Sequence, residues 1–327
     1  MALLEARAID VVYTPADRAP VRAVRTTSLI VDSGELVGLV GESGCGKSTL
    51  GLALIRMLRP PAHQTGGIIL FDGVDVTQLR GEQLRHQRHQ GFALVPQSGM
   101  NALNPVRSVK GHFTDILRAH ERIGRAEIRQ RAVQLLGKVG LDSTVLDRYP
   151  HELSGGMRQR VAIALVLALD PRLIVFDEPT TALDVIVQAG VIATIRQLQQ
   201  EEGFSALVIS HDLGLVVGAT DRVVVMYAGQ IVEDQSSERL LRHPRHPYTQ
   251  ALLRCYADPR ADEVHLEGIV GSPPDLSTPT AGCLFAPRCP LAEEICWKSD
   301  PQLSPVGDGQ VACHMAQRTG RGHARVG

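Results

Sequence analysis

A glycine-rich stretch between a predicted apolar strand, Leu36–Val40, and a predicted apolar helix has the residue types of a phosphate-binding loop. In the pattern Gly-x-x-x-x-Gly-Lys-Ser, glycines let consecutive backbone N–H groups face phosphate oxygens, and the N-terminus of the following helix adds partial positive charge. The lysine is expected to reach the β- and γ-phosphates of a nucleotide, and the serine to bind Mg²⁺. The expected nucleotide-binding residues are Gly41, Ser43, Gly44, Cys45, Gly46, Lys47, Ser48 and Thr49.

Two adjacent carboxylates end a second predicted strand, residues 173–176. Neighbouring residues at the end of a strand point to opposite sides, so Asp177 and Glu178 are predicted to have different roles. Asp177 is expected to bind Mg²⁺, and Glu178 to act as the base that polarises the water attacking the γ-phosphate.

Two further polar residues follow predicted apolar strands and are candidates for the same chemistry. His211 comes after the strand 206–209 and Ser210, and can bond a γ-phosphate oxygen or the attacking water. Gln97 follows another apolar segment, and its neutral amide can contact Mg²⁺ or water. We therefore place Glu178, His211 and Gln97 together as candidate catalytic residues.

A second anion-binding cradle precedes the apolar segment that runs to Leu169. Ser154, Gly155 and Gly156 are expected to expose backbone N–H groups at a helix N-terminus. The stretch "LSGGMRQ" resembles the signature motif of ATP-binding-cassette (ABC) ATPases, and the order of all these motifs along the chain is similar to that of the family. The resemblance implies that two cassettes face each other and that each ATP lies between the phosphate loop of one and the signature of the other.

The same resemblance assigns further residues to the nucleotide site. Tyr13 resembles the aromatic residue that stacks on adenine, and Gln159 belongs to the signature. Residues 181–184 resemble the loop after the catalytic carboxylate, which makes Asp184 a candidate contact. The expected cofactors are ATP and Mg²⁺, with Ser48, Gln97 and Asp177 as magnesium ligands.

A narrower resemblance comes from "YPHELSGGMRQRV" and "DEPTTALDVIVQA", followed by "HPYTQALL", "GSPPDL" and "GCLFAPRCP". Together they resemble ATP-binding subunits of bacterial oligopeptide, dipeptide and nickel importers. The implied partners are a second ABC ATPase subunit, two integral membrane permease subunits and an extracytoplasmic substrate-binding protein. The second ATPase subunit is expected to be a different chain, with an identical one as the alternative. The implied location is the cytoplasmic face of the membrane, with di- or oligopeptides as cargo and nickel or another small solute as the alternative.

The alternation of strands and helices predicts an α/β fold with a mainly parallel core sheet. The resemblance refines this to an ABC-type P-loop NTPase: a RecA-like core sheet, an antiparallel β subdomain and an inserted helical subdomain at about 98–170. Ile128, Ala132 and Leu135 recur at helical spacing within that insertion. The resemblance also implies that the stretch after Gln97 receives a membrane subunit.

The composition changes near residue 236, where Pro-rich segments begin. This predicts a nucleotide-binding domain over 1–235 and a small C-terminal metal-binding domain over 236–327. The last ten residues have few apolar side chains and are predicted to be a disordered tail.

Four cysteines, Cys283, Cys289, Cys296 and Cys313, follow the spacing C-x5-C-x6-C-x16-C. In a reducing compartment such a cluster favours metal over disulfides. The spacing leaves a zinc site, a [4Fe-4S] cluster and four buried reduced thiols open. The resemblance to importer ATPases with this type of tail implies the [4Fe-4S] cluster.

Charge and hydropathy exclude other classes of function. The formal net charge is −1, with 34 basic and 35 acidic residues, which argues against a nucleic-acid partner. Charged residues at the N-terminus argue against a signal peptide, and the longest apolar run is about half of the roughly 20 residues that span a bilayer. Two alternatives to an importer remain: a soluble ABC ATPase and a binding module with a degenerate nucleotide site, which the intact Glu178, His211 and signature disfavour.

Overall fold

The computed structural model describes residues 1–97, 103–181, 183–255, 268–278 and 280–323. The strands are β1 (Ala2–Tyr13), β2 (Val21–Asp32), β3 (Leu36–Val40), β4 (Ala62–Phe71), β5 (Val74–Asp75), β6 (Phe92–Val95), β7 (Leu173–Asp177), β8 (Ser205–Ser210), β9 (Arg222–Tyr227), β10 (Gln230–Ser236), β11 (Ser304–Val306) and β12 (Gly309–Val311). The helices are α1 (Lys47–Leu54), α2 (Gly81–Gln90), α3 (Val109–His120), α4 (Arg125–Lys138), α5 (Gly155–Val166), α6 (Val185–Glu202), α7 (Leu213–Val217), α8 (Ser237–Arg242), α9 (Pro247–Arg254), α10 (Glu294–Lys298) and α11 (His314–His323).

The chain divides into two compact units. The first comprises Met1–Asp32, Val37–Gln78 and the chain from Ile209 onward, and is called the phosphate-loop unit below. The second comprises Ser33–Leu36 and Leu79–Val208, and is called the helical unit.

The phosphate-loop unit contains an antiparallel sheet with the strand order β2-β1-β4-β5. Tyr13, at the end of β1, pairs with Val21 of β2 on one side and with Ala62 of β4 on the other. One face carries the buried residues Leu4, Ile9 and Val11. The predicted antiparallel β region is therefore present, and it fixes the position of Tyr13.

A second set of strands in the same unit brings the C-terminal part of the chain next to the phosphate loop. β3 runs parallel to β9, β10 is antiparallel to β9, and β12 and β11 continue the sheet beyond β10. Every residue of β3 is buried, as expected for a strand covered on both faces. The predicted bounds of β3 match the structure.

The helical unit contains β6, β7 and most of β8, in the strand order β8-β7-β6, together with α2 to α6. β6 and β7 are parallel, with Phe92 opposite Leu173. Ile128, Ala132 and Leu135 are buried on one face of α4, which confirms the periodicity that predicted this helix. The inserted helices predicted from the sequence are present, while residues 98–102, where that insertion was expected to begin, lie outside the described part of the chain.

The C-terminal region has two features that the sequence did not predict. It belongs to the phosphate-loop unit, because β12 pairs with β10 through Glu233 and Val311. The predicted disordered tail is helical up to His323, in a helix α11 whose first turn packs Met315 and Ala316 on a small core of Val306, Val311 and Cys313. Residues 324–327 lie outside the described residues.

Among the described residues, no helix combines the length and the apolar character needed to cross a bilayer.

Candidate functional site

The phosphate loop connects β3 to α1, and close backbone approaches explain its glycines. A Cβ atom on Gly41 would lie 2.1 Å from the carbonyl oxygen of Met226, and one on Gly46 would lie 2.2 Å from that of Ala23. Both glycines also have positive φ, 151° and 103°, which other residues rarely adopt. Packing of the loop against β2 and β9 therefore requires glycine at both ends of the motif.

Lys47 lies inside this loop rather than in solvent. Its side chain is buried, and its ammonium donates to the carbonyls of Gly41 at 2.7 Å and Glu42 at 3.0 Å. These bonds hold the cation at the N-terminus of α1, where the helix dipole and the charge both favour an anion. Ser48 and Thr49 form the next positions of the same helix, as the motif predicts.

Tyr13 reaches the start of α1 from the antiparallel sheet. Its hydroxyl lies 3.0 Å from the Thr49 hydroxyl, so the two side chains share a hydrogen bond. Two residues that the sequence assigns to the same nucleotide site, 36 positions apart, are thus in contact.

Cys45 is packed beneath the loop rather than exposed to a ligand. Cys45 is only 6% exposed, and burial raises the pKa of its thiol. Its carbonyl accepts a hydrogen bond from the N–H of Gly229 at 2.9 Å. The side chain therefore fills space, while the backbone of Cys45 forms part of the loop.

In the helical unit, Glu178 and Gln97 are in direct contact. The Gln97 amide donates to Glu178 Oε2 at 3.0 Å, and the hydroxyl of Thr181 donates to the same oxygen at 2.9 Å. Glu178 has a φ of 46°, an unfavourable left-handed conformation that strongly held functional residues often adopt. The structure thus orients one carboxylate oxygen of Glu178 through two side chains. Asp177, the last residue of β7, is 7% exposed.

The signature residues lie at the N-terminus of α5 in the helical unit. Ser154 caps the helix by accepting a hydrogen bond from the N–H of Met157 at 3.3 Å. A Cβ atom on Gly156 would lie 2.8 Å from Cγ1 of Val187 on α6, so glycine is required for this close packing. Gln159 is 3% exposed and lies in the interior, so its side chain is not part of the exposed cradle.

Two further candidate site residues, Asp184 and His211, lie at the ends of secondary-structure elements. Asp184 caps α6 through a hydrogen bond from the N–H of Val187 at 3.0 Å. His211 follows β8, belongs to the phosphate-loop unit and has an exposed side chain. The structure therefore gives Asp184 a local structural role and leaves His211 accessible.

The four cysteines of the C-terminal region line one small cavity of about 10 Å³ in the phosphate-loop unit, together with Phe285 and Met315. The N–H of Cys283 donates to the carbonyl of Cys296 at 2.7 Å. Burial raises the pKa of Cys283 to about 11 and also raises the pKa values of Cys289 and Cys313. Among the described residues, no three side chains of His, Cys, Asp or Glu are arranged so that they could hold a metal ion.

Sequence reasoning missed the residues that support the phosphate loop from the C-terminal region. Arg288 donates to both carboxylate oxygens of Glu42, at 2.7 and 2.9 Å, and Tyr248 accepts a hydrogen bond from the N–H of Glu42 at 2.8 Å. The hydrogen bonds to Glu42 raise the pKa of Arg288, and burial raises the pKa of Tyr248. Both residues lie in stretches that the sequence analysis singled out, but no spacing rule connects them with a loop more than 200 positions away.

Comparison with known families gives two matches. A model described as "ABC transporter" matches residues 24–181, and one described as "Oligopeptide/dipeptide transporter, C-terminal region" matches residues 232–296.

Similar proteins cover almost the whole chain. The dipeptide transport ATP-binding protein DppD of Haemophilus influenzae is 39% identical over 316 residues, 96% of each chain. Its namesake in Escherichia coli is 40% identical over 317 residues, 96% of this chain and 97% of that protein. The oligopeptide transport ATP-binding protein OppD of Bacillus subtilis is 40% identical over 292 residues, 88% and 82% of the two chains.

Solved structures agree on the fold. CbiO1 of Clostridium perfringens, part of an ABC transporter complex, superimposes with a TM-score of 0.63 at 26% identity, covering 74% of this chain and 91% of that one. The ATP-binding cassette MJ0796, in a dimeric state bound to ADP and phosphate, gives a TM-score of 0.64 at 24% identity over 72% and 98% of the two chains. The phosphate loop, the oriented carboxylate, the signature helix and these matches together show that the chain belongs to the ATP-binding proteins of the ABC transporter family.

Proposed function

We propose that this chain hydrolyses ATP to drive the import of di- or oligopeptides through a membrane complex. The observation that carries the proposal is the Glu178 carboxylate, held by Gln97 and Thr181 at the end of β7. It is supported by about 40% identity to peptide transport ATP-binding proteins along nearly the full chain. Nickel or another small solute is the alternative cargo.

The residues divide the chemistry among them. Lys47 and the N-terminus of α1 neutralise charge on the β- and γ-phosphates, while Tyr13 packs against the adenine. Glu178 accepts a proton from the attacking water as the water oxygen bonds to the γ-phosphorus and the bond from that phosphorus to the bridging oxygen of ADP breaks. Gln97 and His211 hold that water and a phosphate oxygen.

Magnesium fits the donor set of the chain. Hydroxyl, carboxylate and amide oxygens are the ligands that Mg²⁺ prefers, and Ser48, Asp177 and Gln97 would supply them. The ion supplies charge neutralisation on the transferred phosphoryl group when bound.

The signature residues indicate that each nucleotide site is shared between two ABC subunits. Ser154, Gly155 and Gly156 present the N-terminus of α5, and we propose that they contact the ATP held by a second ABC subunit. A different partner subunit, two permease subunits and a substrate-binding protein complete the proposed complex, with this chain on the cytoplasmic face of the membrane.

The test is purification of the tagged full chain from detergent-solubilised membranes, followed by reconstitution of the purified assembly in liposomes. The expected result is co-purification of two integral membrane proteins and ATP hydrolysis that rises when the binding protein is loaded with peptide. Loading with nickel in place of peptide distinguishes the cargoes. Recovery of the chain without membrane subunits, with full activity, would instead support the soluble ABC ATPase.

We also propose that the cysteine cavity holds a thiolate-bound metal. The four thiols that line this cavity are the soft ligand type of zinc and iron–sulfur sites, and they would have to move closer together to hold either group. The resemblance to importer ATPases with this type of tail favours [4Fe-4S], with Zn²⁺ as the alternative. The role would be structural, in a region with few apolar elements.

Anaerobic purification with iron, sulfide and zinc analysis separates the two metals. Brown protein with four irons and four sulfides per chain supports the cluster, and colourless protein with one zinc supports the alternative. A folded chain that holds neither metal would contradict the proposal. Cys255→Ser is the matched control, because Cys255 is exposed and lies outside the cavity.

A further inference from the structure

The phosphate loop is bound by an arginine from the cysteine-bearing region. Arg288 is separated from Glu42 by 246 positions, yet its guanidinium donates in a fork to both oxygens of that carboxylate, at 2.7 and 2.9 Å. The Arg288 side chain is only 4% exposed and that of Glu42 25%. We propose that Arg288 is a positioning residue for the nucleotide site, which acts on the phosphate loop through Glu42.

Glu42 is fixed from three directions. Arg288 holds its carboxylate, its N–H donates to the hydroxyl of Tyr248 at 2.8 Å, and its carbonyl accepts from Lys47 at 3.0 Å. The last of these bonds connects Glu42 with the lysine expected to contact the phosphates. A shift of Glu42 therefore changes both the path of the loop and the position of the Lys47 ammonium.

Arg288 is itself held by groups that do not belong to the loop. Its Nε donates to the carbonyl of Val270 at 3.0 Å, and one of its terminal nitrogens lies 3.3 Å from the hydroxyl of Tyr227. The guanidinium also lies within 6 Å of two aromatic rings, those of Tyr227 and Phe285, an arrangement that stabilises a cation. The arginine is thus preorganised before it meets Glu42.

An aromatic cluster makes this support rigid. The ring of Tyr227 lies 4.6 Å from that of Tyr248 and 5.2 Å from that of Phe285, and the last two are 5.4 Å apart. Tyr227 ends β9, Tyr248 lies on α9 and Phe285 precedes Arg288. Three separate segments of the C-terminal half therefore meet under the phosphate loop.

The charges of Arg288 and Glu42 cancel, which indicates that Arg288 positions the phosphate loop and does not bind phosphate directly. Both forked nitrogens of Arg288 are used by Glu42, so the pair has no net charge and adds little attraction for a triphosphate. Removing the arginine leaves a partly buried carboxylate unpaired beside the anion site, which disfavours the native loop. The inference rests on residues 41–49 being the nucleotide phosphate loop of the proposed function.

The experiment is a double-mutant cycle on the purified full chain, with the Kd for MgATP measured by calorimetry. The variants are Arg288→Gln, Glu42→Ala and both together. Arg288→Gln is expected to raise Kd at least tenfold in the wild-type chain and less than threefold in the Glu42→Ala background.

The direction in which Glu42→Ala alone changes the Kd for MgATP is a second, independent test. Loss of a negative charge beside a phosphate site by itself lowers Kd, whereas loss of loop positioning raises it. We expect a rise of at least fivefold. Arg288→Lys, which keeps the charge but not the planar fork, is expected to give an intermediate Kd.

The matched control is Arg222→Gln. Arg222 also pairs with a carboxylate in the same unit, through one nitrogen that donates to both oxygens of Asp234 at 2.9 and 2.8 Å, but it lies at the other end of β9, opposite Val37. Its variant is expected to lower the melting temperature and to leave Kd within twofold of wild type.

Several outcomes would overturn the inference. One is a folded Arg288→Gln chain whose Kd stays within twofold of wild type, and another is an equal effect of Arg288→Gln in both backgrounds. Melting temperature and metal content are recorded for every variant. If Arg288→Gln does not fold, the Kd for MgATP of Glu42→Ala is the deciding measurement. An unchanged or lower Kd in that variant rejects the role of Arg288 as a positioning residue. A wild-type chain that binds no MgATP rejects the proposed function itself.

Discussion

At the scale of single residues, function here depends on side chains whose polar atoms are each held by a partner. Glu178 is oriented through one oxygen by Gln97 and Thr181, and Lys47 by two carbonyls of its own loop. The motif identifies Lys47 and the carboxylate pair from residue type and spacing alone. It does not identify the contact between Gln97 and Glu178, because that contact depends on how β6 and β7 pair.

Glu178→Gln is expected to lower kcat of the assembled complex by about 100-fold or more, because a positioned general base contributes roughly 10²–10⁴-fold. The Kd for MgATP is expected to stay within about threefold, because the amide keeps the shape of the side chain. Both values are measured on the same preparation. Glu201→Gln, at an exposed acid of α6, is the control, and wild-type turnover in Glu178→Gln would remove the base from its assigned role.

Lys47→Ala is expected to show the opposite division between binding and turnover. The ammonium is a charge-assisted donor, and its loss raises the Kd for MgATP by about tenfold or more, since such bonds contribute roughly 1.5–3 kcal/mol. Equilibrium binding of a fluorescent ATP analogue measures the change. Binding as tight as wild type would show that Lys47 does not reach the phosphates.

At the scale of secondary-structure elements, close contacts at glycine residues determine where the sites lie. Gly156 allows the N-terminus of α5 to approach α6, and Gly41 and Gly46 allow the phosphate loop to approach neighbouring strands. Sequence periodicity predicted the helices and buried strands well, because burial patterns are local. It did not predict that α11 continues through the C-terminal stretch, because the partners of that helix are strands β11 and β12.

Gly156→Ala is expected to lower the free energy of unfolding by about 1–3 kcal/mol, because its Cβ would overpack against Val187. Chemical denaturation of the purified chain measures the change. Val187→Ala in the same chain removes the obstructing methyl group and should restore most of the loss. A double variant as unstable as Gly156→Ala would show that another contact causes the effect.

Removal of the metal that we propose for the cysteine cavity is expected to weaken nucleotide binding as well as to lower the melting temperature. Arg288 immediately precedes Cys289, so release of that thiol frees the segment that holds Glu42. Chelation or Cys289→Ser should therefore raise the Kd for MgATP, whereas Cys255→Ser should not. A metal-free chain with an unchanged Kd would show that the two features are independent.

At the scale of the whole molecule, the two compact units group the chain differently from the two domains, which stay a prediction. The sequence places a boundary near residue 236, where composition changes, but composition reports loops and prolines rather than packing partners. The pairing of β10 with β12 and the contact of Arg288 with Glu42 place the C-terminal region in the phosphate-loop unit. Long-range pairings of this kind have no local signal in one sequence.

The isolated chain is expected to be a poor ATPase, because the signature on α5 is proposed to complete the site of a partner. Specific activity should fall as the chain is diluted and reach the value of the assembled complex only with its partner subunits present. Sedimentation at each concentration gives the oligomeric state. Full activity in a demonstrably monomeric sample would contradict composite sites.

The strand β12, which pairs with β10, is synthesised long after β10. The helical unit is almost continuous in sequence and is fully available once Val208 has been added, whereas the phosphate-loop unit waits for residues near Val311. Roughly 100 residues separate these points, which takes on the order of 5–20 s at typical rates of synthesis. From the completion of β10 at Ser236 until β12 has been added, β10 has an unpaired edge on the nascent chain, where it is open to wrong pairing and to chaperones.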